Sequence, residues 1–255
     1  MKKEEKEMKK LLTILFAVIL VVGTATLVTA GVANTPHDVQ IIRGTTGLEP
    51  CAMCHTPHSG TGDYPLWNRQ QDAQSYTLYD SPTFDMQAAA DLQAPSTLCM
   101  VCHNGATSQL VNYPGPRSTE NTNYNMVGGE LVFPWTDLTT DMRNDHPVSF
   151  TYDPALDDVV DNNGFPAATT DGTTGRKYIE GTGAKYPLYG PNMDQMECST
   201  CHSVHHTVSG YGESMDADCL SGARSGPACS VGTQVYFLRR SNAGSQMCID
   251  CHKNR

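Results

Sequence analysis

Four copies of one short motif constrain this chain more than any other feature of its sequence. Each copy has two cysteines separated by two residues, with a histidine directly after the second cysteine. The copies lie at residues 51–55, 99–103, 198–202 and 248–252, and we name them sites 1 to 4 in that order. This spacing is the attachment signature of a c-type haem, in which both thiols form thioethers and the histidine binds the iron from one face.

The sequence therefore predicts four covalently bound haem c groups. The predicted thioether residues are Cys51, Cys54, Cys99, Cys102, Cys198, Cys201, Cys248 and Cys251, and the predicted proximal iron ligands are His55, His103, His202 and His252. Zinc is the alternative, because four C-x-x-C pairs can form two four-cysteine sites. The pairs of a zinc ribbon lie about 15–20 residues apart, however, and sites 1 and 2 are much farther apart. Zinc also gives no reason for a histidine after every second cysteine.

The four sites fall into two similar halves. Sites 1 and 3 extend the motif to C-x-x-C-H-x-x-H, with His58 and His205 as the added histidines, and each is followed by a plain C-x-x-C-H. A further histidine precedes each half, His37 before site 1 and His146 before site 3. This internal repeat predicts two two-haem modules, module 1 at about 31–110 and module 2 at about 140–255.

The remaining histidines are sufficient to close the second face of every iron. Of the 9 histidines, the five that are not proximal are His37, His58, His146, His205 and His206. We predict His37, His58, His146 and His205 as distal ligands, with His206 as the alternative to His205. A haem closed by two histidines transfers electrons, whereas one with an open face can bind a substrate or gas.

His58 lies too close to His55 to bind the same iron. The three residues that separate them span only about 10 Å of extended chain, which is too short to cross to the other face of the haem. His58 is therefore expected to bind a different haem, and His205 likewise, so that haems are held close together. Module symmetry predicts the pairs His58 with His103, His205 with His252, His37 with His55, and His146 with His202.

Residues 1–30 have the pattern of a cleaved signal peptide, with five lysines, an apolar stretch at 11–22 and small residues before Gly31. An uncleaved anchor is the alternative, and residues 1–7 can also be an extension before a start at Met8. We expect an exported protein at the cell surface or outside the cell, with the periplasm as alternative and no membrane span after cleavage. In that compartment Cys219 and Cys229 are expected to form a local disulfide.

The chain is acidic, with 17 basic and 27 acidic residues and a net charge of −10. Removal of residues 1–30 takes away five lysines and three glutamates, which leaves 12 basic and 24 acidic residues and a net charge of −12. Nucleic-acid binding requires basic patches, so we expect no nucleic-acid partner. The acidity fits solubility and basic redox partners.

The predicted fold is a mostly irregular multihaem cytochrome c, a single domain at 31–255 with few short helices and strands, in which haems form the core. Residues 104–197 are rich in Asn, Gly, Thr, Pro and Asp, which favour turns. We predict a helix near 83–92, short strands at 131–133, 148–152, 177–179 and 234–238, and an exposed arm at 31–50.

The segments Thr35-Pro36-His37-Asp38, residues 51–58, Asp145-His146-Pro147 and residues 198–205 resemble exported multihaem cytochromes of metal-reducing bacteria. The chain is most similar to the OmcE-type filament-forming tetrahaem cytochromes, and the resemblance covers the haem sites and their order. It implies end-to-end polymerisation with an unbroken haem stack, in which a histidine of one subunit ligates a haem of the next. His37, in the N-terminal arm, is the candidate for that ligand, although it can equally serve its own chain.

These observations predict electron transfer through four bis-histidine haems, as a polymerising extracellular filament that receives electrons from redox-partner cytochromes and delivers them to external acceptors. One alternative is a soluble periplasmic tetrahaem shuttle. Another is a multihaem reductase, which requires an open haem face. We do not expect an enzyme, because no C-x-x-C-K replaces a site and the histidines can close every iron.

Overall fold

A computed structural model describes residues 32, 37–38, 49–60, 64, 66–70, 74–106, 137–156, 164–205, 237–240 and 242–252. The chain divides into two units, 1–30 and 31–255, and every described residue lies in the second. The predicted signal peptide, the predicted strand at 131–133, His206 and the pair Cys219 and Cys229 lie outside the described residues. Among the described helices, none has the length and apolar character needed to span a membrane.

Regular structure in the described residues consists of short elements. The helices are α1 (Ser96–His103), α2 (Cys198–Cys201) and α3 (Gln246–Cys251), with 3-10 turns at Pro50–Met53, Pro154–Leu156 and Ala243–Ser245. The strands are β1 (Gln87–Ala88), β2 (Phe150–Thr151), β3 (Ala168–Thr170), β4 (Lys177–Gly181), β5 (Ala184–Pro187) and β6 (Gln195–Met196). They form two antiparallel sheets of three strands, ordered β1-β2-β6 and β3-β4-β5.

Two of the strand predictions are confirmed and the helix prediction is wrong. The segment 177–179 lies in β4, and 148–152 contains β2. The segment 83–92 holds β1 instead of a helix, because Gln87 and Ala88 pair with β2. The Asp91 carboxylate then accepts hydrogen bonds from the backbone N–H groups of Tyr76 and Leu92, which fixes the chain in a loop.

Two apolar clusters support the motif helices. The larger joins both sheets through Met86, Phe150, Tyr152, Ile179, Tyr186, Leu188 and Met196, and Met247 of α3 packs against it. The smaller contains Tyr76, Leu92, Met100 and Met142. Met100, between the two cysteines of site 2, is completely buried, which contributes about 2 kcal/mol of stability.

A buried polar network fixes α3 to the second sheet. The Asp250 carboxylate accepts hydrogen bonds from Arg240 at 2.5 Å, from the Tyr186 hydroxyl at 2.7 Å and from the Thr182 backbone N–H at 3.0 Å. Burial and the bond to Asp250 raise the pKa of the Tyr186 phenol, so it remains a donor. Gly181 lies directly against this network, where a Cβ would clash with the Asp250 carboxylate and the Tyr186 ring. Site 4 is thus held through a residue between its own cysteines.

Candidate haem sites

Each motif folds as a helical turn that brings its three chemical groups to one side. In sites 1, 3 and 4 the backbone N–H of the histidine donates to the backbone carbonyl of the first cysteine, at 2.9, 3.0 and 2.7 Å. Site 2 forms the last turn of α1. Residues i, i+3 and i+4 share one face of a helical turn. Both thiols and the imidazole of a site can therefore meet a single haem.

Sites 1 and 3 share a local structure that the sequence does not reveal. A short segment runs antiparallel beside each motif and forms an isolated bridge to its proximal histidine, His55 to Trp67 and His202 to Leu238. The hydrogen bonds on either side of the bridge are equivalent in the two sites. Leu66 and Phe237, which precede the bridging residues, have φ values of 62° and 63°, which non-glycine residues seldom adopt. The modules therefore repeat in structure as well as in sequence.

Three pairs of imidazoles lie at the separation that two ligands of one iron require. Their ring centroids are 5.9 Å apart for His55 and His205, 6.1 Å for His37 and His103, and 6.2 Å for His146 and His252. A metal–imidazole bond is about 2 Å long, so two imidazoles on opposite faces of one haem iron have centroids roughly 6 Å apart. The donor set of these residues fits bis-histidine haem.

The observed pairs differ from the module-symmetric pairs that the sequence predicts. His37 and His146 each face the second proximal histidine of their own module rather than the first. His205 of module 2 crosses to His55 of module 1 rather than to His252. Chain proximity cannot predict this arrangement, because the histidines that meet are brought together only by the folding of distant segments.

Hydrogen bonding and packing orient the paired rings. The Nδ1 atom of His146 lies 2.9 Å from the carbonyl oxygen of Pro147, so a proton held at Nδ1 leaves Nε2 free for a metal. The His55 ring N–H donates to the Leu66 carbonyl, while burial, foremost, and the charge of His205 lower the pKa of His55. Neither carbonyl carries a sequence signal, because backbone groups are common to all residues.

The N-terminal arm, predicted to be exposed, is half-buried at His37 and buried at Asp38. His37 stacks on Phe237 with centroids 4.5 Å apart, and Asp38 is buried. Burial, with the nearby charges of His103 and His202, lowers the pKa of His37 to about 3. His37 is therefore neutral at physiological pH, as metal binding requires. Its position against His103 of its own chain differs from the expectation that it reaches a neighbouring copy.

Successive sites interact in chain order. The side chain of Cys99 in site 2 hydrogen-bonds that of Cys198 in site 3. Burial raises the pKa of Cys54 to about 12, and the charge of Cys102 in site 2 adds to the effect. Burial likewise raises the pKa of Cys201 to about 11, with a contribution from Cys248 in site 4. These interactions place thiols of successive sites near one another, in the order site 1 to site 4.

Two of the predicted ligands have no imidazole opposite them among the described residues. His58 is exposed, and its pairing with His103 is not seen because His37 occupies that position. His202 lies near His37 and His103, but both of those rings face each other. In the described part of the chain, His58 is thus a predicted iron ligand without a partner imidazole. The predicted iron at His202 correspondingly lacks a second histidine.

A buried carboxyl group that the sequence reasoning missed connects sites 2 and 3. Glu197, 1% exposed, precedes Cys198, and its Oε2 atom accepts hydrogen bonds from Ser96 Oγ at 2.5 Å and Ser149 Oγ at 2.9 Å. Its backbone N–H donates to Thr200 Oγ1 at 3.0 Å at the start of α2. A carboxylate residue at the N-cap, with a threonine three residues later, was the sequence signal available.

Folding should become less favourable as pH rises toward neutrality, because burial raises the pKa of Glu197 from 4.5 to about 7. Between these values the folded chain keeps a proton that the unfolded chain has released, so the free energy of unfolding decreases with increasing pH. In Glu197→Gln this decrease is expected to be absent, which denaturant unfolding at pH 4.5 to 7 measures. An equal decrease in both proteins would contradict the assignment.

The described residues include all eight motif cysteines, and among them no group of three or more metal-binding side chains is close enough to hold a metal ion. A scan against protein-family models and a search of the curated proteins found no match to this chain.

Proposed function

We propose that this protein transfers electrons through four c-type haems, each held between two histidines, and that copies join head to tail into an extracellular filament. The observation that carries the proposal is the set of three facing imidazole pairs, each including a proximal histidine of a C-x-x-C-H turn. The proposed role is to carry respiratory electrons from partner cytochromes to acceptors outside the cell, without catalysis.

Haem, when bound, supplies a one-electron carrier, and the chain's residues determine how it is used. Histidines on both faces leave no position for a substrate, which favours electron transfer over catalysis. The cysteines would fix the position of each haem, and the proximity of thiols in successive sites supports a continuous path. The acidic surface keeps the protein soluble and attracts basic partners.

The repeat between the modules supports the polymer. Within one chain, His205 of module 2 faces His55 of module 1. Suppose that module 1 of a neighbouring copy packs on module 2 of this copy in the way that module 2 packs on module 1 within one chain. His58 of the neighbouring copy then lies opposite His202 of this copy. Such a contact joins different surfaces of the two copies and leaves both available again, which generates an open helical filament rather than a closed dimer.

His58 therefore replaces His37 as the proposed ligand that crosses between subunits. The exposure of His58 supports this role, as does the shared bridge geometry of sites 1 and 3. The competing arrangement places His206, which lies outside the described residues, on the iron at His202. That arrangement closes all four haems in one chain and corresponds to a soluble shuttle.

Protein produced in a host that attaches c-type haem is expected to gain the mass of four haems, to form filaments, and to contain only low-spin ferric iron apart from the one open haem at a filament end. Mass spectrometry, paramagnetic resonance and negative-stain microscopy measure the three properties. A monomer with four low-spin haems would support the shuttle instead. A high-spin haem inside the polymer would favour the reductase, and zinc in place of haem would refute the proposal.

A further inference from the structure

Only one of the two oxygen atoms of the Glu197 carboxyl group has hydrogen-bond partners in the described structure. Its Oε2 atom accepts two hydroxyl donors, whereas its Oε1 atom is buried and has no hydrogen-bond partner in the described structure. A buried ionised carboxylate with a free oxygen is costly, and protonation of that oxygen removes the cost. The described residues also provide no ion pair to Glu197.

Glu197 lies where two proposed haem sites meet. It directly precedes Cys198 of site 3, and the Ser96 hydroxyl that it binds belongs to α1, which carries site 2. The same hydroxyl accepts a hydrogen bond from the Cys198 backbone N–H at 2.8 Å. The carboxyl group is thus part of the connection between the sites.

The surroundings of Glu197 are nearly free of other titratable groups. Among the described residues, those that act on it are Cys198 and Tyr64, while Ser96, Ser149 and Thr200 are neutral partners. Tyr64 has its own pKa raised by burial and by Glu197, so it remains neutral near pH 7. Cys198 does not titrate once it is a thioether.

We propose that Glu197 is a proton-binding site that couples protons to electron flow between sites 2 and 3. This inference rests on the proposed function. If a haem held at site 2 or site 3 took up one electron from a donor cytochrome, one proton from water would add to the Glu197 carboxylate and form an O–H bond. When the electron moves on, that bond breaks and the proton returns to water, so the local charge is the same before and after.

Electrostatics makes this coupling substantial. If the iron of a bound haem lay about 10 Å from the carboxylate, a unit change of its charge at an effective dielectric constant of about 20 would change the proton affinity roughly tenfold. Because burial already raises the pKa of Glu197 to about 7, that change crosses the physiological range. Reduction therefore shifts the carboxyl group from partly ionised to mostly protonated.

The test is potentiometric titration of the four-haem protein between pH 5 and pH 9, together with redox infrared difference spectroscopy. In the wild type, one or two haem potentials are expected to fall as pH rises through about 7, with a protonated carboxyl band appearing on reduction. In Glu197→Gln both effects are expected to be lost. The matched control is Glu180→Gln, on the exposed part of β4, which is expected to behave as the wild type.

Equal pH dependence in Glu197→Gln and in the wild type would overturn the inference. If the variant fails to fold, the wild-type infrared spectrum decides, because absence of a carboxyl band on reduction at pH 7 is also contrary to it. Haem counting separates the two proposals. A protein without haem refutes the proposed function, whereas four low-spin haems with potentials unaffected by Glu197→Gln refute only the role of Glu197.

Discussion

Replacing His58 with alanine is expected to abolish filaments completely and to leave one haem in four high-spin in every subunit. The exposed imidazole of His58 is the proposed ligand for the iron at His202 of the neighbouring copy. Without it, the contact between copies loses a metal–ligand bond, and the iron keeps a single histidine. Negative-stain microscopy measures the filaments, and paramagnetic resonance of the ferric protein measures the high-spin fraction.

The matched control for His58→Ala is His146→Ala. His146 faces His252 of its own chain, with ring centroids 6.2 Å apart, so its loss also opens one haem in four. It makes no contact that the proposal assigns to the join between copies. Filaments are therefore expected to form from His146→Ala despite the same high-spin signal. This comparison separates loss of ligation from loss of assembly.

Two results are incompatible with the proposed join. Normal filaments from His58→Ala with every haem low-spin would remove His58 from the contact between copies. Conversely, if His206→Ala opened a haem in an isolated subunit while His58→Ala did not, His206 would be the ligand opposite His202. The chain would then resemble a self-contained shuttle.

Asp250→Ala is expected to lower the free energy of unfolding by about 3 kcal/mol. The change leaves the Arg240 guanidinium and the Tyr186 hydroxyl without their buried carboxylate acceptor. Breaking a buried ion pair from one side costs about 3–5 kcal/mol, and Arg240, whose side chain is 17% exposed, falls at the lower end of that range. Denaturant unfolding followed by circular dichroism gives the value.

The control for Asp250→Ala is the residue beside it. Ile249 also lies between the cysteines of site 4, but it is exposed, so Ile249→Ala is expected to change stability by no more than about 0.5 kcal/mol. Similar losses in both variants would indicate that α3 is simply sensitive to substitution. A loss below about 1 kcal/mol for Asp250→Ala would show that water replaces the carboxylate.

The local arrangement of each C-x-x-C-H motif is predictable from sequence, whereas the tertiary partners of its histidine are not. The C-x-x-C-H spacing is local, so a single helical turn determines how its cysteines and histidine are placed. The pairing of His205 with His55 depends on how residues far apart in the chain fold together, and symmetry between modules predicted a different partner. Glu197 was missed for the same reason, since its serine partners lie about 50 and 100 residues away in the chain.

The secondary structure likewise includes segments that the local sequence predicts and segments that tertiary contacts decide. The segment 177–179 was recognisable as a strand because Tyr178 and Ile179 are residue types that favour strands, and it lies in β4. The segment 83–92 has apolar residues at spacings that a helix tolerates, but pairing of Gln87 and Ala88 with β2 decides its conformation. In so short an element, tertiary contacts outweigh local propensity.

In the proposed filament, the unused His58 of one end and the open iron at His202 of the other make the two ends chemically different. A terminal subunit at one end carries an unused imidazole, while the terminal subunit at the other end carries an iron with a vacant coordination position. The high-spin fraction of a preparation therefore counts filament ends. Each filament has one open haem, and its total number of haems is four times its number of subunits. Added imidazole is expected to act as a chain terminator, because it competes with His58 for the growing end and shortens the polymer.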